Sequence, residues 1–168
     1  MNVIDEAGIL ALSTRLQRLS DMIRKDGFQI YREHGIDFEP KWFPVIYTLY
    51  FKPVLSVVEL AAEIGYTHPS TISLLKELEK EKLIRSKRDK NDERKRLIVL
   101  TEKGKALVGR MKPVWQTMVA AATDFTNTKN NIMKAITEVE EQLRKKSFSE
   151  RAMEIASGNL QKKNSPDS

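Results

Sequence analysis

Leu83-Ile-Arg-Ser-Lys-Arg-Asp-Lys-Asn-Asp-Glu-Arg-Lys-Arg-Leu-Ile-Val-Leu-Thr-Glu-Lys-Gly104 is the stretch of this 168-residue chain whose reading decides the fold. Leu83-Ile84 and Leu97-Ile-Val-Leu100 are apolar and rich in β-branched residues, and they flank the polar tip Asp89-Lys-Asn-Asp-Glu93. That pattern predicts a β-hairpin with Asn91-Asp92 as turn residues. Between Arg85 and Arg96 lie seven basic residues (Arg85, Lys87, Arg88, Lys90, Arg94, Lys95, Arg96) and three acidic ones, a net +4 out of +6 for the whole chain. Such a run suits a polyanionic partner or a merely solvated loop, and charge alone does not choose between them.

The residues just upstream narrow the choice. Ser56-Val-Val-Glu59 has the spacing of a capping box, in which the serine and the glutamate satisfy each other's free amides. The short helix behind it uses Leu60, Ala61 and Ile64 and ends at Gly65. Thr67 caps a second helix with Pro69 in its first turn and Ile72, Leu75, Leu78 and Lys82 on one face. Its opposite face carries Ser70, Ser73 and Glu77, with Pro69, Leu74 and Lys76 at the margins. A helix-turn-helix followed directly by a basic hairpin predicts a winged helix, here residues 42–104.

Further out the pattern is helical. Ile9, Leu12, Leu16, Leu19 and Ile23 recur every three or four residues and predict one long helix over 5–33, its end loosened by Gly27, Gly35 and Pro40. Trp42 to Phe51 is apolar nearly all round and reads as a short buried helix, with Pro44 in its first turn and Pro53 as its stop. Thr101 caps a helix to about Asn127, kinked at Pro113, and a last helix follows over roughly 129–156 with Ile132, Ile136, Val139 and Leu143 on one side. The residues 157–168 hold too little apolar content to order themselves. The expected architecture is mainly α with a small β-wing, a winged helix-turn-helix flanked by N- and C-terminal helices. The regions 5–33 and 105–156 carry longer apolar seams than a small winged helix can cover, so a second copy of the chain should bury them as a homodimer. Packing of the terminal helices on each other in a monomer is the alternative.

Composition excludes several function classes. With no cysteine there is no disulfide, no cysteine-ligated zinc and no thiol redox sensing. His34 and His68 are the only histidines and neither has a ligand cluster, so no metal is expected. No phosphate-binding loop, dinucleotide fingerprint, zinc-protease motif or thiol nucleophile is present, and neither an enzyme nor a cofactor is expected. Nothing approaches the ~20 apolar residues that cross a bilayer, and Met1-Asn-Val-Ile-Asp-Glu6 carries acid where a secretory signal carries base. The expectation is a cytoplasmic chain with no membrane partner.

Duplex DNA fits the remaining features. Small hydroxyl residues in the first turns of a helix, together with the amide donors at its N-terminus, suit close approach to base edges and phosphates. Candidate contacts on that helix are Thr67, His68, Pro69, Ser70, Thr71, Ser73 and Lys76; those on the wing are Arg85, Lys87, Arg88, Lys90, Arg94 and Arg96. Asp92 cannot bind phosphate, but it suits holding an arginine in place by a charge-assisted pair. A winged helix used for protein contacts is the competing reading; it needs no basic wing, and its binding would depend little on salt.

The hairpin, with Asp92-Glu-Arg94 followed by Leu100-Thr-Glu-Lys-Gly104, resembles the wing of the multiple-antibiotic-resistance regulator (MarR) family, and the order of elements agrees over about residues 5–156. The resemblance implies a transcriptional regulator, most often a repressor, that binds a pseudo-palindromic duplex as a two-fold dimer. It makes the helix from Thr67 to Lys82 the recognition helix in the major groove and Arg94 the minor-groove arginine. It also implies release by a small aromatic or phenolic effector, for which Tyr31, Trp42, Phe43, Tyr47, Tyr50, Met111 and Trp115 are candidates; plain core packing is the alternative for each.

Overall fold

The computed structural model describes residues 2–89, 92 and 95–163, with the backbone alone for 159–163. The chain divides into two units, Met1–Met118 and Val119–Ser168.

The first unit opens with a short helix α1 (Val3–Glu6), a 3-10 turn (Gly8–Ala11) and a long helix α2 (Leu12–Glu33). The single helix expected over 5–33 is broken because Gly8 adopts φ +58, in the left-handed region. Gly27 does not loosen the helix end. It is buried inside α2, where a Cβ would meet Met118 Cε at 3.4 Å. Two hydrogen bonds tie α2 and the turn that follows it to residues further along the chain. Trp115 Nε1 donates to the Tyr31 hydroxyl at 2.9 Å, and Arg110 Nη2 donates to the Gly35 carbonyl at 2.6 Å. Burial raises the Tyr31 phenol above its usual range, partly offset by the bond from Trp115.

A 3-10 turn (Pro40–Trp42) leads into α3 (Phe43–Phe51). This helix is not buried all round: Val45, Ile46 and Leu49 enter the core, whereas Phe43, Tyr47 and Phe51 are exposed. The predicted capping box then starts α4 (Val57–Ile64), with the Ser56 amide donating to Glu59 Oε2 at 2.7 Å and the Glu59 amide to Ser56 Oγ at 3.3 Å. Helix α5 (His68–Lys80) and strands β2 (Ile84–Arg88) and β3 (Arg96–Leu100) follow. The sheet has a third strand that periodicity did not reveal. Leu55–Ser56, strand β1, pairs antiparallel with β3, so the order is β1-β3-β2. Two residues are too few to carry an alternation signal. Leu60, Leu74, Leu75, Leu78, Ile84 and Ile98 share one core with Leu107, Val108, Met111 and Val114 of α6 (Glu102–Phe125), a helix that continues through Pro113.

The passage from α5 to the wing and on to α6 is one compact knot. Leu83 N–H donates to the Leu78 carbonyl at 3.0 Å and Lys82 N–H to that of Glu79 at 2.9 Å, a Schellman ending with Leu78 and Leu83 both buried. The left-handed position, which favours glycine, holds Lys82 at φ 59, so α5 ends before Lys82 instead of including it. Thr101 N–H donates to the Leu83 carbonyl at 3.0 Å, and its hydroxyl donates to the Lys82 carbonyl at 2.7 Å. The same hydroxyl accepts the Gly104 amide at 3.0 Å and so caps α6. A Cβ on Gly104 would lie 2.1 Å from the Leu83 carbonyl oxygen, which leaves no room for any other residue.

The second unit contains the end of α6, then α7 (Ile132–Lys145) and α8 (Phe148–Lys163). The one helix expected over 129–156 is two, because Ser147 and Glu150 form a second capping box: Ser147 N–H donates to Glu150 Oε2 at 2.7 Å and Glu150 N–H to Ser147 Oγ at 3.3 Å. Helix α8 also passes Gly158, where disorder was expected, because Leu160, Gln161, Lys162 and Lys163 are good helix formers; residues 164–168 lie outside the described residues. No residue of α7 is buried, and Met133, Ile136, Val139 and Leu143 are exposed. No helix among the described residues is long and apolar enough to cross a membrane.

Two substitutions at the knot should move stability in opposite directions. Gly104→Ala should lower it by about 3 kcal/mol through the clash with the Leu83 carbonyl. Lys82→Gly should raise it by about 0.5 kcal/mol by relieving the left-handed backbone. Thermal melts of both variants check this, and an unchanged midpoint for Gly104→Ala would contradict the close approach.

Candidate nucleic-acid interface

Helix α5 presents a different face from the one predicted. Thr71, Leu74, Leu75 and Leu78 are buried, and Ile72 is only half-buried. At about 100° per residue this rotates the inner face by roughly an eighth of a turn from the Ile72–Leu75–Leu78 row. Thr71 is 0% exposed and cannot meet a ligand on the surface. A threonine is tolerated there because its hydroxyl donates to the Thr67 carbonyl at 3.0 Å. The outward row is Pro69, Ser73, Lys76 and Lys80, with His68 and Ser70 also exposed. Lys80 was not among the predicted contacts, although it lies on the outward face in either orientation; it stands one turn beyond Lys76 on the same exposed row.

The start of α5 is organised by Thr67, whose hydroxyl accepts the Ser70 amide at 3.3 Å and donates to Ser70 Oγ at 2.9 Å. Thr67 is thereby committed as the cap. Ser70, which accepts that bond, keeps its own hydroxyl proton for an outside acceptor.

On the wing, Arg85, Lys87 and Arg88 are exposed on β2. Arg85 and Lys87 share one face of the strand, two residues apart. Arg88 pairs directly with Arg96 across the hairpin, a like-charge juxtaposition that is unfavourable without a nearby anion. Asp89 N–H donates to the Lys95 carbonyl at 3.1 Å and Lys95 N–H to the Asp92 carbonyl at 2.9 Å, which closes the neck of the tip. Lys90 and Arg94 lie outside the described residues, and so does the expected pairing of Asp92 with Arg94.

Two acidic residues of α5 act inward. Glu77, expected on the outer face, accepts from Lys41 Nζ at 2.7 Å and from Trp42 Nε1 at 3.0 Å. The Lys41 bond, then the Trp42 bond, hold its carboxyl below the usual glutamate range. Glu79 accepts from Ser86 Oγ and, at 3.2 Å, from Arg96 Nη2. Arg96 also donates to Ser86 Oγ at 2.5 Å, so this candidate contact already has partners within the fold.

The effector candidates separate into two groups. Tyr31 and Met111 are fully packed core residues, and half-buried Trp42 is engaged with Glu77 and edge-on to Phe38. Phe43, Tyr47, Tyr50 and Trp115 instead form a connected aromatic surface. Phe43 and Tyr47 stack at 4.9 Å, and both meet Trp115 edge-on, at 5.8 and 5.4 Å. Phe51, 63% exposed, extends it from Tyr47, and Lys112 Nζ lies 4.5 Å from the centre of the Tyr50 ring. Phe51 and Lys112 were not foreseen, although Phe51 continues the four-residue spacing from Phe43 and Tyr47.

Residues 34–95 match the MarR family. No curated protein matches the sequence. Among solved structures the chain is similar to the transcriptional repressor CouR bound to a 23-mer DNA duplex, at 24% identity over 82% of this chain and 96% of that one, TM-score 0.62. It is similar to the M. tuberculosis transcriptional regulator MOSR in complex with DNA, at 20% identity over 79% and 95%, TM-score 0.67. A third similar structure is Bordetella bronchiseptica BpsR, whose DNA binding is regulated by 6-hydroxynicotinic acid, at 20% identity over 77% and 98%, TM-score 0.55. At these identities the likeness is one of fold. The family match falls on the helix-turn-helix and the wing just described, so residues 34–95 are similar to the MarR family and the chain has a winged-helix fold.

Proposed function

We propose that the chain is a DNA-binding transcriptional regulator, a repressor, that acts in the cytoplasm as a homodimer on a two-fold-related duplex site. The observation that carries this reading is the exposed row Ser73, Lys76 and Lys80 of α5 beside the basic strand Arg85–Arg88, with Ser70 and the helix N-terminus at its leading edge. Short hydroxyls and lysines on the outer row of a helix suit the major groove, and the wing would follow the adjacent backbone. Arg94 enters through its sequence and the family resemblance, as the residue for the neighbouring minor groove. Self-association is supported by apolar rows left exposed in each unit, Leu12, Leu16, Leu19 and Ile23 on α2 and Ile136, Val139 and Leu143 on α7. CouR and MOSR, similar in fold, were both solved on DNA.

The same reading extends to a small aromatic effector, as BpsR has in 6-hydroxynicotinic acid. Its candidate site is the surface of Phe43, Tyr47, Phe51 and Trp115, with Lys112 beside it to meet a carboxylate or phenolate. Such a ligand weakens DNA binding only if it prefers the DNA-incompetent arrangement, since equal affinity for both shifts nothing.

The DNA reading is tested by selecting duplexes from a randomised pool with the full chain and titrating the winner at two salt concentrations. Binding should weaken steeply with salt. Lys80→Ala should weaken binding to all sequences and reduce the salt slope by about 1, whereas Arg94→Ala should lose most of the preference for the selected duplex. No duplex bound even at low salt would transfer the winged helix to protein recognition. The effector is tested separately with salicylate, 4-hydroxybenzoate and 6-hydroxynicotinate. Tryptophan fluorescence should be quenched, DNA binding should fall, and both effects should be lost in Tyr47→Ala. Silence with all three ligands removes this part of the proposal.

A further inference from the structure

We propose that Glu79, Ser86 and Arg96 form a clamp that sets the angle of the wing against the recognition helix. Glu79 and Arg96 are then positioning residues and not contacts to DNA, an assignment whose functional half rests on the DNA reading above. Glu79 Oε1 accepts from both Ser86 Oγ and Arg96 Nη2, and Arg96 Nη2 donates to Ser86 Oγ as well. The closed triangle joins three elements: Glu79 near the end of α5, Ser86 in the middle of β2 and Arg96 at the start of β3. The wing is anchored elsewhere at its base, by Leu83 and Thr101, and along β3, where β1 pairs with Leu97 and Ile98. What Glu79 adds is a hold from α5 itself to both strands, so the clamp acts directly on the angle between helix and wing.

Charge points the same way. A carboxylate on a surface that meets phosphates repels them, so Glu79 helps binding only through what it holds. It also supplies the anion that the facing pair Arg88 and Arg96 needs when no DNA is present. Arginine suits the position because one guanidinium serves two acceptors in a fixed plane, which an ammonium does not reproduce.

The test uses the full chain with Glu79→Gln and Arg96→Lys, each read in two ways. Without DNA, amide hydrogen exchange over 84–88 and 96–100 should accelerate by roughly tenfold in both variants, as expected for losing a hydrogen bond to a charged group. Exchange in α2 and the thermal midpoint should stay close to wild type. With DNA, the duplex selected by wild type should bind about tenfold more weakly, while random duplex binds as before or, for Glu79→Gln, somewhat better. The salt slope of Arg96→Lys should match wild type. Unchanged exchange in both variants overturns the clamp whatever the DNA result. Tighter binding of the selected duplex by Glu79→Gln also overturns it, because the carboxylate would then only repel. If wild type selects no duplex, the DNA reading fails and the exchange result alone decides whether the clamp exists.

Discussion

The carbonyl of Leu83 is the point on which the arrangement of the winged helix depends. It accepts the Thr101 amide at 3.0 Å while Gly104 presses against it with no space for a side chain. Through that one residue the end of α5, the start of β2, the end of β3 and the start of α6 are brought to a common place. Leu78 and Leu83 bury their side chains beneath it, so the hydrogen bonds sit over apolar packing and are shielded from competing water. The glycine and threonine of the Leu100-Thr-Glu-Lys-Gly104 run therefore have a mechanical explanation: one supplies the cap, the other the clearance.

From this fixed point the acidic residues of α5 extend the control outward. Glu77 holds the segment of Lys41 and Trp42, and Glu79 holds the wing. A helix that offers serines and lysines to the outside thus keeps its carboxylates turned toward its neighbours. The exposed pairs are individually weak, because solvent screens them. Their importance is geometric: they set the relative placement of helix and wing, on which the proposed DNA binding depends.

Much of this was legible in the sequence wherever a local rule was strong. The capping box at Ser56 and Glu59, the caps at Thr67 and Thr101 and the β-branched runs of the wing all predicted elements that the structure contains. The second capping box, Ser147 to Glu150, has the same spacing but lies inside a stretch with apolar residues on both sides, where periodicity alone does not mark a break. The orientation of α5 was hidden for a physical reason: the inner face uses Thr71, a polar residue whose hydroxyl is satisfied by its own helix, so hydrophobicity alone selected Ile72. Glu79, Ser86 and Arg96 meet only through the pairing of α5 with the hairpin, and no spacing rule encodes that contact. The aromatic surface of α3 looked like core because nothing local distinguishes an exposed apolar face from a buried one.

The most direct measurement of the central claim is a chemical footprint of the full chain on a duplex it has selected, with major-groove and minor-groove probes. Two protected major-groove tracts about one helical turn apart, each with minor-groove protection beside it, are expected if two copies of α5 and the wing engage a two-fold site. A selected duplex whose major groove stays fully reactive under saturating protein would contradict the placement of α5, and with it the role assigned to the whole winged helix.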